Sequence, residues 1–154
     1  MPKRRTFIVT PIPNLQRVTE RGLAFLECRE DPGIDARRVY EALQENKQRL
    51  VRNRFDYWLG GGIHDQYFHG WSDPEYKDCF VFKWKDRKHQ RLYGFLVNPR
   101  PRTDPRFQLC VLISHAQKTT QKTDPSELNG AKRLRQEPEV INAVKRAYPE
   151  LDLN

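Results

Sequence analysis

Residues 107–128 read FQLCVLISHAQKTTQKTDPSEL. The run FQLCVLIS, rich in apolar and β-branched residues, predicts a buried strand over 107–114 that ends at Ser114–His115. A short Lys/Thr/Gln segment follows. Asp124 and Glu127 then form a capping pair around Pro125, which suits the first position of a helix. Such a strand delivers His115, Lys118 and Lys122 to its C-terminal edge, where they can meet a phosphate.

Working outward, CFVFKWK (79–85) and RLYGFLV (91–97) predict two more apolar strands. Asp86-Arg87-Lys88 and Asn98-Pro99-Arg100-Pro101 supply the turns between the three. Sequential strands with short links pair as an antiparallel meander. Upstream, TFIVTPI (6–12) predicts a first or edge strand stopped by Pro11 and Pro13. Residues 14–29 carry a weaker helical pattern through Leu15, Val18, Leu23 and Leu26. Asp35 is positioned to cap a helix reaching about Trp58, with Ala36, Val39, Tyr40, Leu43, Val51 and Phe55 along one face. Gly60–Gly62 stops it, and residues 63–78 read as an aromatic and polar loop. Pro138 opens a last helix that buries Val140, Ile141, Val144 and Ala147. The expected fold is one α+β domain over 1–154, a mainly antiparallel twisted sheet with helices packed on one face and a basic groove on the other.

The 154 residues are 37% hydrophobic and include three Trp, six Tyr and eight Phe, enough to bury a single core. The formal net charge of +8 favours a polyanionic partner. Between Lys83 and Arg106 eight basic residues stand against two acidic ones, Asp86 and Asp104. A solvated basic edge that blocks aggregation is the competing reading of such a run. Cys28, Cys79 and Cys110 are odd in number and lack C-x-x-C spacing, which predicts free thiols in a reducing compartment. MPKRRTFIVTPIP lacks the apolar stretch of a signal peptide, and no run has membrane-span length. The expectation is a cytoplasmic protein without cofactor or metal. There is no G-x-S-x-G, phosphate loop or H-E-x-x-H.

Strand alternation puts Lys83 and Lys85 on one face of their strand and Arg91 and Tyr93 on one face of the next. If these faces coincide, cations and a ring share a surface suited to single-stranded RNA. His115 directly follows a core strand and is the candidate acid/base; a histidine satisfied by backbone is its alternative. The expected catalytic set is therefore His115, Arg91, Lys83 and Tyr93, the last to stack or orient a base. Lys85, Arg87, Lys88, Lys118, Lys122, Arg100 and Arg102 are the expected RNA contacts. His69 is read as packing or a lid, and His89 as solvent-facing.

From about Asp78 to Arg135 the chain resembles the HigB-like, phage-derived branch of the RelE/ParE toxin superfamily. The segments that carry the likeness are CFVFKWKD, QRLYGFL, and CVLISHAQKTTQKTDPSEL leading into AKRLR. Arg91 matches the arginine that opens the family's second core strand, and Lys118 and Lys122 match the lysines of its closing motif. Lys83 and Lys85 match only in kind. The resemblance implies a small α+β toxin that cleaves mRNA, often on the ribosome, and is held inactive by a cognate acidic antitoxin. It also implies metal-free cleavage with the ribose 2′-OH as nucleophile. The loop 98–106 and the segment 54–78, read as an added element, depart from the pattern. Two other functions remain open: a non-catalytic RNA- or ribosome-binding protein, and a toxin directed at a protein such as gyrase.

Overall fold

The computed structural model describes residues 5–15, 21–97, 108–118 and 125–149. Strands β1 (Phe7–Pro11) and β2 (Arg21–Cys28) precede helices α1 (Ala36–Ala42) and α2 (Glu45–Leu59). Strands β3 (Phe68–Gly70), β4 (Cys79–Asp86), β5 (Lys88–Val97) and β6 (Gln108–Lys118) follow, and α3 (Pro125–Gln136) and α4 (Pro138–Ala147) close the order. The strands form one sheet in the order β1-β2-β6-β5-β4-β3. Only β2 and β6 run parallel; the other neighbours are antiparallel. A parallel pair needs a crossover, and α1, α2 and the β3–β5 meander lie within it.

The α+β class and the mainly antiparallel sheet accord with the sequence. Helices cover both faces, however, rather than one. Phe25, Phe55, Phe82, Leu92 and Leu112 meet α1 and α2 in one core. Val81, Tyr93, Phe95, Val111 and Ile113 meet α3 and α4 in the other. β5 and β6 are apolar on both faces because both are covered, which is why they read as continuous runs rather than alternating ones. Among the described residues no helix is long and apolar enough to cross a membrane.

Three local expectations need correction. The helical pattern over 14–29 gives way to β2 over 21–28, a strand buried on both faces. Its apolar residues are consecutive, so they satisfied a helical template as easily as a strand. The single helix over 35–58 is two helices, broken where Leu43 turns extended. As one rod those residues would span about 36 Å; the break lets α1 lie on β2 and β6 while α2 lies on β2 and β4. β6 also continues past Ser114 through His115 to Lys118.

That extension contains a β-bulge. Val97 to Gly94 pair with Leu109 to Leu112, but Tyr93 pairs with Ser114 and Arg91 with Ala116. Ile113 is the extra residue. Gly94 permits it, because a Cβ there would lie 2.2 Å from the Val111 carbonyl oxygen and 3.0 Å from Leu112 Cα. Backbone atoms cannot step aside as a flexible side chain can. The thiols are free and buried; burial raises the Cys79 pKa to about 11 and that of Cys110 further still.

Gly94→Ala should lower stability by about 3 kcal/mol, the upper end of overpacking costs, or prevent folding. Leu96→Ala, on the same strand without this clash, should fold with an ordinary large-to-small loss. Urea unfolding of both variants checks the difference.

Candidate functional site

At the end of the sheet beyond α3, residues on the α3/α4 side form a grid set by register. His69 pairs with Val81, which pairs with Tyr93. One step along, Lys83 pairs with Arg91. At the hairpin end Lys85 pairs with His89, and His89 with Lys118. A cleft of about 420 Å³ opens here, lined by His69, Lys83, Lys85, His89 and Arg91, with Arg54, Tyr67 and, from the α1/α2 face, Trp84 and Gln90 among its other lining residues. That volume is within the range of roughly 300–1,000 Å³ in which drug-sized ligands are held. Among the described residues no carboxylate lines it.

Without carboxylates the cleft is electropositive, and its titrating groups respond accordingly. Burial, then the nearby Lys83 and Arg91 charges, hold His69 below the ordinary histidine range against the opposing pull of its backbone bond and Asp65. His69 Nδ1 lies 2.8 Å from the Gly70 carbonyl oxygen. A carbonyl only accepts, so Nδ1 carries the proton and the neutral ring keeps its lone pair on Nε2. Burial and then Arg91 lower Lys83 from the ordinary lysine range. Arg91 is 5% exposed and donates from Nη1 to the Tyr93 hydroxyl at 3.2 Å.

The structure thus brings Lys83, Lys85 and Arg91 onto one face, as the sequence suggested, and Lys118 joins them. Four other expectations change. His115 lies on the opposite face: it pairs with Leu92, a residue of the α1/α2 core. Its Nε2 is 2.6 Å from Gln90 Oε1, its ring is 6.0 Å from that of Trp84, and its backbone N–H donates to Asp35. Its ring thus lies on the α1/α2 face, with its partner Gln90 also lining the cleft. Tyr93 is fully buried, so its ring cannot stack on a base, and its hydroxyl positions Arg91 instead. Lys88 pairs with Asp86 and by alternation faces away from Lys83. Arg87 is the hairpin tip, with a left-handed φ of 57°. Lys122, Arg100 and Arg102 lie outside the described residues.

His69, His89, Arg54 and Tyr67 were missed as site residues. The signal for His69 was present in the sequence, in the F-H-G triplet, but a three-residue strand carries too little alternation to register. α2 holds Arg54, whose guanidinium carbon lies 3.8 Å from the Tyr67 ring centroid. No family model, no curated protein and no solved structure matches the chain.

Burial also holds His115 below the ordinary histidine range, although Asp35 pulls the other way. When the folded pKa is the lower one, the unfolded chain binds more protons in the window between the two values. Stability is then full above about 6.5, the unfolded histidine pKa, and falls as pH drops through the lowered one. His115→Gln removes one such group while keeping a donor for Gln90. Its urea midpoint should therefore fall less than the wild-type midpoint between pH 7 and pH 5.

Proposed function

We propose that the chain is a metal-independent endoribonuclease of the RelE/ParE toxin type. One observation carries this reading: a neutral histidine with its Nε2 lone pair available shares a carboxylate-free cleft with Lys83 and Arg91. RNA brings its own nucleophile, the 2′-OH, so the protein need supply only a base, an acid and cations. His69 Nε2 takes the 2′-OH proton as that oxygen attacks the adjacent phosphorus. Lys83 and Arg91 balance the charge that gathers on the pentacoordinate phosphorus oxygens. The P–O5′ bond breaks, and the Lys83 ammonium, acidified by burial, protonates the departing oxygen. The products are a 2′,3′-cyclic phosphate and a 5′-hydroxyl.

The family reading draws support from the chain order as well as from the motifs. The resemblance places a strand followed by helices ahead of the matching segments, and here β1, β2, α1 and α2 precede β4, β5 and β6, with the short β3 between. In this reading the protein acts in the cytoplasm on mRNA, with the ribosome as one setting. A cognate acidic antitoxin covers the basic face.

Expression from a controlled promoter, with mRNA ends mapped by primer extension, tests the proposal. New 5′ ends should disappear in His69→Ala and Lys83→Ala and persist in His115→Ala. In vitro, His69→Ala should slow cleavage by about 10²–10⁴-fold. The wild-type pH–rate profile should rise through the lowered His69 pKa and fall below the ordinary lysine range as Lys83 loses its proton. Arrest with intact mRNA would instead indicate a protein target, and normal growth with intact mRNA a binding role.

A further inference from the structure

One wall of the cleft is a pile of planar groups. The His64 and Tyr67 rings are nearly parallel, 8° apart, with centroids 3.9 Å apart. The Arg54 guanidinium lies 3.8 Å from the same Tyr67 centroid. Two groups that close to one ring centre exclude each other from the same face, so Tyr67 is sandwiched between them. Tyr57 braces the pile edge-on, its centroid 6.3 Å from that of Tyr67. Gly62 lets the loop pass over Tyr57, since a Cβ there would fall 1.9 Å from the Tyr57 ring.

Arg54 and Tyr67 line the cleft, and so does Trp84, which is 4% exposed. Two buried donors here, Arg54 Nε and Trp84 Nε1, have no acceptor among the described residues. Buried donors are ordinarily matched, so these two mark a place beside the cleft where the protein's own polar pairing is incomplete. Burial alone lowers the Arg54 pKa against the Tyr67 contribution.

We propose that Arg54, seated on Tyr67 and His64, forms a nucleotide subsite beside the scissile phosphate, its guanidinium plane stacking on a nucleobase. The proposal rests on the RNA reading of the cleft and adds a specific contact to it. A planar cation is better suited to this than an ammonium, because it stacks and attracts at once. The stacking plane accepts any base, so affinity comes without strong sequence selection.

The test uses a 2′-O-methyl tetraribonucleotide, which binds without being cleaved, and fluorescence anisotropy at two salt concentrations. Arg54→Lys keeps the charge and loses the plane; Tyr67→Leu removes its support. Each should weaken binding about 5- to 100-fold. Tyr67→Leu, which removes no charge, should leave the salt dependence unchanged. Far-UV circular dichroism and thermal unfolding verify that each variant is folded. Wild-type affinity in Arg54→Lys with loss in Arg54→Ala would reduce Arg54 to a phosphate contact and overturn the stacking subsite. Wild-type affinity in both Arg54→Lys and Tyr67→Leu would overturn it as well. Cleavage of ordinary RNA is measured alongside. Stack-dependent binding without cleavage would leave the subsite standing and remove the nuclease; no wild-type binding would remove both.

Discussion

One extra residue in β6 determines how the two faces of this sheet divide their work. Up to Gly94 the β5–β6 ladder is regular, and had it stayed regular Arg91 would sit opposite His115. The bulge at Ile113 shifts the pairing by one, so Arg91 faces Ala116 and His115 faces Leu92. A one-residue slip sends every following side chain to the other face. His115 is thereby drawn into the polar contacts of Gln90 and Asp35, and the cleft takes its histidine from β3 instead. Gly94 is the enabling residue, because only hydrogen fits against the Val111 carbonyl.

This explains which parts of the molecule were legible in the sequence. β4, β5, most of β6, α3 and α4 were readable because their apolar runs are long and their stops are Pro, Asp or turn residues. Lys83, Lys85 and Arg91 were correctly grouped because β4 and β5 are joined by a tight hairpin with unbroken register. Beyond the bulge, alternation carried no information: nothing in LCVLISHAQK marks which residue is extra. The signal for the bulge lay in the partner strand, at the glycine of Y-G-F, since a glycine inside an apolar strand often marks a close backbone approach. β2 was lost for a different reason, because burial on both faces erases the period that separates strand from helix.

The two cores also position the cleft. On the α3/α4 side the apolar core gives way at Ala116, and the cationic pairs Lys83–Arg91 and Lys85–His89 follow toward the hairpin end. On the other face the aromatic cluster runs from Phe25 through Tyr40 and Phe55 to Phe82. It anchors α2 firmly enough to hold Arg54 over Tyr67 at the cleft's rim. The basic residues are thus presented by rigid elements on either side, which is what positioning a phosphate demands.

Trp84 occupies an unusual station in this arrangement. Trp84 is one of the residues lining the cleft, and its indole belongs to the α1/α2 core, 6.0 Å from the His115 ring. An excited indole gives up an electron readily to a protonated imidazole, and its emission colour follows the polarity around the ring. With Trp58 and Trp71 replaced, this indole becomes an optical probe whose brightness tracks proton uptake at His115.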